Sequence, residues 1–286
     1  MLEVQTNGKS EMSELKDILI HKNRCKILIN IDYAHREFVD ALCEIDNLLS
    51  EQKGSIIKDQ KKIKVVRLPL QINGETVDCH IKQFRVFSFR KRLENLFVPP
   101  RAFRAWQGAK RLIVGGISTP VPIAAVESWK SGLLRESFFI SKTIPDSMIS
   151  VHYFKKHFAD AAGPSNAKTD FLSSMARALR RLHDADIYHN DLKDYNILVN
   201  SDDGSGSLNF WFLDVDCVSG FRGVTAGRRI KNLAQLDKTL GKEMKPADKM
   251  VFFKGYFGLS EAENFSTEQE VMLQKVFRRS GGKPLS

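Results

Sequence analysis

The chain has 286 residues and a formal net charge of +10, from 44 Lys and Arg against 34 Asp and Glu, with 42% hydrophobic and 27% charged residues. That is the mixture of a globular chain long enough to bury a sizeable core, in one large domain or two packed lobes, and it excludes a disordered or collagen-like polymer. Cys25, Cys43, Cys79 and Cys217 stand singly with no CxxC pair, so neither a disulfide framework nor a zinc site is favoured and a reduced, cytoplasmic setting is expected.

Met1 to Ser13 is polar, and no apolar run approaches the roughly 18 residues of a spanning helix, so the chain is expected neither to cross a membrane nor to enter one by a signal peptide. Acidic residues are interleaved with basic ones in Lys58 to Arg67 and Arg85 to Glu94, and no zinc-finger, RRM or basic-zipper signature accompanies them, so nucleic acid is not expected. A partner carrying phosphates or carboxylates, or an anionic membrane surface, accounts for the charge equally well.

From His35 to Leu49 the residues Phe38, Val39, Leu42, Ile45, Leu48 and Leu49 recur at helical spacing, which predicts an amphipathic helix in an N-terminal helical extension over residues 1–50. Short strands follow at Gly54 to Ile56, Ile63 to Leu70 and Thr76 to Phe84, the last two joined by Asn73-Gly74, a three-stranded meander. Pro99-Pro100 opens a helix over Arg101 to Leu112 that Gly115-Gly116 ends. Strands are predicted at Val121 to Glu127 and Ser137 to Ile144. A helix with the apolar face Phe171, Leu172, Met175, Leu179 and Leu182 comes next, with Asp170 as its N-cap or first-turn acid. A β-hairpin, Asn196 to Asn200 and Leu208 to Asp216, precedes a loop and a basic, helical C-terminal region. The order predicts an α+β chain with a β-rich lobe over 51–142 and a larger, mainly helical lobe over 143–286.

Chemistry concentrates in Tyr188-His189-Asn190-Asp191-Leu192-Lys193-Asp194-Tyr195-Asn196 and in Leu213-Asp214-Val215-Asp216. A helix delivers a loop carrying an Asp, a Lys two residues on and an Asn five on, and the hairpin returns a second carboxylate. This pattern suits a Mg-nucleotide site, because Mg²⁺ takes hard oxygen ligands from one or two side chains plus phosphates. Asn196 and Asp214 would supply them, leaving Asp191 to handle a proton.

The loop resembles the H-R-D-L-x-x-x-N catalytic loop of eukaryotic-like protein kinases, with Asn190 in place of the Arg. Five matches at roughly one in twenty each arise by chance in such a chain about once in ten thousand, which sets aside a fortuitous turn. Asp214 matches the Asp of the D-F-G signature, with Val215 and Asp216 replacing Phe and Gly. Lys82, near the end of the meander's third strand, matches the Lys that grips the α and β phosphates. Its Glu partner is not evident: Arg101 to Leu112 holds no acid, and Glu94 is the nearest upstream candidate. The phosphate-covering loop lacks G-x-G-x-x-G and carries Lys58, Lys61 and Lys62. Asp216 reads either as a second metal ligand or as a carboxylate bonded to its own loop.

Further segments narrow the resemblance: Arg101-Ala-Phe-Arg-Ala-Trp106, Gly116-Ile-Ser-Thr-Pro-Val-Pro122 and Arg228-Arg-Ile-Lys-Asn-Leu-Ala-Gln-Leu236. Together with the catalytic loop they are similar to the lipopolysaccharide core kinases, the Kdo/heptose kinase family, over most of the chain from about residue 52. The resemblance implies a two-lobed protein-kinase-like fold, ATP and Mg²⁺ as cosubstrates, and phosphorylation of a sugar hydroxyl of an anionic glycolipid at the inner face of the bacterial inner membrane, as a cytoplasmic, peripheral enzyme with no obligate protein partner. It implies Asp191 and Lys193 as catalytic residues, Lys82 as the phosphate ligand, and Asn196 and Asp214 as Mg²⁺ ligands. No A-P-E motif follows Asp216, which favours a non-peptide acceptor. Two alternatives stay open: another kinase of this fold, acting on aminoglycosides or on protein, and a catalytically dead binding module.

Overall fold

The computed structural model describes residues 15–22, 24–51, 54–158, 165–201, 207–220 and 223–282. It has a mixed α and β architecture with a sheet-built N-terminal region and a mainly helical C-terminal part. In chain order the strands and helices are β1 (Asp17–Lys22), β2 (Cys25–Asn30), α1 (Arg36–Cys43), α2 (Ile45–Glu51), β3 (Ser55–Gln60), β4 (Ile63–Ile72), β5 (Glu75–Arg85), α3 (Phe89–Glu94), α4 (Arg101–Val114), β6 (Pro122–Lys130) and β7 (Leu133–Lys142). They continue with β8 (Met148–Ile149), α5 (Ser150–Phe158), α6 (Asn166–Asp184), β9 (Tyr188–His189), β10 (Ile197–Ser201), β11 (Leu208–Phe212), β12 (Val218–Ser219), α7 (Ala226–Thr239), α8 (Pro246–Phe257) and α9 (Thr267–Ser280).

Seven antiparallel strands form the N-terminal sheet in the order β1-β2-β6-β7-β5-β4-β3. The meander β3-β4-β5 is where the sequence places it, and β4 alternates buried Val66, Leu68, Leu70 and Ile72 with Arg67, Pro69 and Gln71. Central β6 instead buries the run Ile123 to Val126, because helices cover both faces of the sheet there. On one face α1 lays Phe38, Val39 and Leu42 over Ile27, Ile29, Leu68, Ile81, Val126 and Phe138. On the other, α4 buries Ala102, Ala105, Trp106, Ala109 and Leu112 in a core that runs on into the helical region through Phe171, Leu179, Phe212 and Val215.

The structure corrects several sequence expectations. The first fifty residues are not all helical: β1 and β2 join the sheet, their Ile18/Ile20 and Ile27/Ile29 alternation being a strand period that the downstream helical spacing overshadowed. The helix expected over His35 to Leu49 is two helices parted at Glu44. Ser165, not Asp170, caps α6, its hydroxyl accepting from Lys168 N. Strand β11 ends at Phe212, so Asp214 and Asp216 lie in a turn, and the hairpin tip over 203–206 lies outside the described residues. Among the described residues no helix is long and apolar enough to cross a membrane.

Candidate active site

Helix α6 ends at Ala185, and the chain reverses through Asp186, whose φ of 57° is left-handed, into β9. His189 is fully buried there. Burial holds its pKa below the usual histidine range, so the ring is neutral. Its Nε2 lies 2.8 Å from the Leu213 carbonyl and its Nδ1 3.3 Å from the Asp191 N–H. A neutral ring satisfies both with one tautomer, Nε2–H donating and Nδ1 accepting. The imidazole thus ties the start of the Asp191 loop to the end of the β10-β11 hairpin.

Helix α7 grips the same loop from below. Asn232 Nδ2 donates to the His189 carbonyl at 2.6 Å, Gln235 Nε2 to the Asn190 carbonyl at 2.9 Å, and Gln235 Oε1 accepts from Leu192 N at 3.4 Å. Asn232 is itself held by His183 of α6 at 3.1 Å. Three backbone groups around Asp191 are therefore tied to one helix. Asp191 pairs with Lys193 at 2.7 Å, both partly exposed, and Asn196 Nδ2 donates to the Asp191 carbonyl at 2.8 Å.

The second half of the site comes from the turn after β11. The Phe212 N–H donates to Ser118 O at 2.9 Å and Thr119 Oγ1 donates to Phe212 O at 2.8 Å, so the G-I-S-T-P segment braces the strand two residues before Asp214. Asp214 has φ 58° and ψ 40°, the left-handed geometry that Asp and Asn adopt more readily than other non-glycine residues. Its carboxylate meets Lys82 of β5, whose ammonium bonds Asp214 Oδ1 and lies 3.1 Å from Asp216 Oδ1. Burial alone would raise the Asp214 pKa, but the Lys82 charge and hydrogen bond outweigh it and keep the carboxyl below its ordinary range. Burial likewise works against the Lys82 charge, and Asp216 and Asp214 more than offset it.

The Asp216 side chain is 2% exposed and lies between two cations, since Arg101 donates to its Oδ2 from Nε at 2.9 Å and from Nη2 at 2.7 Å. This is the counter-charge for Lys82 that the sequence left unassigned. Glu94 is not that partner, being 3.5 Å from Arg90 on the same short helix. Both Asp216 oxygens are engaged by basic side chains, Oδ1 by Lys82 and Oδ2 by Arg101. Arg101 stands at the first position of α4, and this helix approaches the turn so closely that a Cβ at Gly108 would lie 1.9 Å from Val215 O. Only glycine fits there.

Donor atoms of Asp214, Asp216 and Cys217 lie within 4.8 Å of one another. A thiol is a poor Mg²⁺ ligand, so the oxygens suited to Mg²⁺ are the carboxylates of Asp214 and Asp216, both paired with Lys82, and Asn196 Oδ1, the Asn196 nitrogen being occupied by Asp191 O. Leu213 N donates to Asn196 O at 2.8 Å, which sets these two residues side by side. The chemistry of the donor set fits the ion.

Five residues singled out from the sequence, Lys82, Asp191, Lys193, Asn196 and Asp214, are thus joined through short chains of contacts. Lys58 lies on the exposed edge strand β3, and Lys61 and Lys62 are exposed in the β3-β4 turn. Of the C-terminal basic residues, Arg229 is structural, bonded to Asp184, His183 O and Val224 O, and Arg222 lies outside the described residues. Sequence reasoning missed Arg101, Ser118, Thr119, Asn232 and Gln235 as site supports. All lie in the segments that carried the family resemblance, which was the available signal.

Comparison with known proteins agrees with this geometry. The profile described as the lipopolysaccharide kinase (Kdo/WaaP) family matches residues 53–256, well over half of the chain. A 3-deoxy-D-manno-octulosonic acid kinase of Photobacterium profundum is 25% identical over 182 residues, 60% of this chain and 69% of that protein. One of Vibrio cholerae serotype O1 is 26% identical over 116 residues, 41% of this chain and 43% of that protein. Among solved structures, WaaP in complex with acyl carrier protein matches with a TM-score of 0.60 at 17% identity, over 82% of this chain and 90% of that one, which shows a shared kinase-like fold. With the family segments found as struts around a kinase-type constellation, the chain belongs to the lipopolysaccharide kinase (Kdo/WaaP) family and is a phosphotransferase with an alcohol group as acceptor.

Proposed function

We propose that this kinase uses ATP and Mg²⁺ to phosphorylate a hydroxyl of Kdo in the lipopolysaccharide inner core, working as a peripheral enzyme at the cytoplasmic face of the inner membrane. Its lobes divide at residues 142/143. The observation that carries the reading is the convergence of Lys82, Asp191, Asn196 and Asp214 from a strand, a loop and a turn far apart in sequence. Kdo is favoured over heptose because both curated relatives are 3-deoxy-D-manno-octulosonic acid kinases.

Asp191 accepts the proton of the sugar hydroxyl as that oxygen attacks the γ-phosphorus and the bond to the ADP oxygen breaks. Lys193, 2.7 Å from the Asp191 carboxylate, neutralises charge on the γ-phosphoryl group. Lys82 holds the α and β phosphates, and the Lys82–Asp216–Arg101 cluster keeps that ammonium in place. Asn196 and Asp214 would hold Mg²⁺, which would supply neutralisation of phosphate charge. Positioning and electrostatics do the rest.

Labelled ATP and Mg²⁺ offered with inner-core lipopolysaccharide, free Kdo, heptose, aminoglycosides and generic protein is the test. Label is expected in the Kdo-containing acceptors, and label confined to protein would overturn the reading. Asp191→Ala is expected to lower turnover by about 10²- to 10⁴-fold while nucleotide binding, measured by calorimetry, persists. Undiminished turnover would remove Asp191 as the base.

A further inference from the structure

Between Lys82 and Arg101 the chain passes through a segment that the phosphotransfer reading does not use. Phe87, Leu96, Phe97 and Val98 are all exposed there, Phe97 at 87%. The Phe97 and Val98 N–H groups both donate to Glu94 O, at 3.1 and 2.9 Å, continuing the last turn of α3. Four large exposed apolar side chains within twelve residues of chain are the mark of an interaction surface.

The segment is cationic in sequence, with Arg90, Lys91 and Arg92 against Glu94 over residues 87–98, and the Arg90 side chain is 91% exposed. The turn carrying exposed Lys61 and Lys62 lies alongside, since Arg85 N donates to Lys62 O at 3.1 Å and Arg85 Nη1 bonds Asp59. Val98 precedes Arg101 by three residues, so its Cα is at most about 11 Å from that of the residue gripping Asp216. Pro99 and Pro100 stiffen the connection.

We infer that Phe87, Leu96, Phe97 and Val98, with Arg90 and the Lys61-Lys62 turn beside them, form the surface that docks this protein on an anionic phospholipid bilayer. An exposed segment that is both apolar and cationic fits a soft, negatively charged interface. The side chains enter the headgroup boundary while the basic residues meet lipid phosphates. Docked this way, the edge of the nucleotide cleft faces the leaflet. The inference deepens the glycolipid-kinase reading and rests on it for its purpose, but it is tested with neither nucleotide nor acceptor.

The test is sedimentation of the full chain with vesicles of phosphatidylglycerol and phosphatidylethanolamine, against vesicles of phosphatidylcholine. Binding is expected to the anionic vesicles alone, weakening as salt rises. The L96S/F97S double substitution is expected to reduce partition roughly tenfold or more, and R90E to reduce it several-fold, with melting temperature and far-UV circular dichroism retained. Phe97→Trp, which keeps the aromatic bulk, is expected to gain emission quenched by brominated phosphatidylglycerol. Val114→Trp, at the far end of α4, is not. Equal partition of L96S/F97S and the parent, equal quenching at both positions, or binding to an acidic carrier protein with none to vesicles would overturn the surface. Failure of the kinase reading shows separately, as normal vesicle binding without phosphate transfer.

Discussion

At the scale of single residues, Asp216 carries the most unexpected role. In the kinase pattern its position belongs to a glycine, and a carboxylate two residues after the metal-binding Asp reads naturally as a second metal ligand. Its burial between Lys82 and Arg101 also makes it the anion that lets an ammonium and a guanidinium approach each other. Breaking a buried pair leaves charge uncompensated, so Asp216→Asn is expected to cost about 2–3 kcal/mol of stability and to raise the KM for ATP. The Mg²⁺ concentration at half-maximal activity is expected to stay as in the parent. A metal-ligand role would instead shift that Mg²⁺ dependence, so a Mg²⁺ titration of the variant decides between the two.

Among elements, the loop that carries Asp191 and the turn that carries Asp214 are braced by helices α4, α6 and α7. Helix α4 presses on the Asp214 turn through Gly108, where any Cβ collides with Val215 O. Gly108→Ala is expected to destabilise the fold by about 1–3 kcal/mol, the usual cost of overpacking, and to lower turnover as the turn shifts, both readable by thermal melting and a kinase assay. Helices α6 and α7 are joined through His183, whose ring meets Asn232 at 3.1 Å and the Tyr256 hydroxyl at 2.9 Å, with Arg229 and Asp184 nearby. Burial lowers its pKa to about 4. The unfolded chain therefore binds a proton near pH 6.5 that the folded one refuses. This stabilisation is complete above about pH 6.5 and is lost as pH falls towards 4, at about 1.4 kcal/mol per pH unit. Melting temperatures across that window are expected to fall more steeply for the parent than for His183→Gln.

For the whole molecule, all four cysteines are free thiols with raised pKa values, Cys25 and Cys217 to about 11 and Cys79 to about 12, each chiefly through burial. Slow modification by a thiol reagent at neutral pH, followed by stoichiometric labelling of four thiols in denaturant, is the expected behaviour. A lower count in denaturant under non-reducing conditions would mean that a disulfide had formed. The net charge of +10 also resolves into parts: Arg229 and Lys249 are spent on internal pairs with Asp184 and Asp237, whereas Arg90 and the Lys61-Lys62 turn remain outward.

The sequence alone carried the candidate site residues and their order along the chain. Asp191, Lys193 and Asn196 lie within six residues, and a short loop needs only local backbone geometry to bring them together. The meander, the β10-β11 hairpin and the major helices were legible because periods of 2 and 3.6 are local properties. Strands β1 and β2 carried the same signal but were passed over beside the stronger helical spacing that follows them. Tertiary structure alone decided how the site is held. Asp216 is 134 residues from Lys82 and 115 from Arg101, and no spacing rule joins residues so far apart. Their meeting depends on α4 lying in the core common to both regions, where packing brings a strand, a helix start and a turn into one buried cluster. A buried charge is stable only beside its partner, and which partner it finds is settled by the fold.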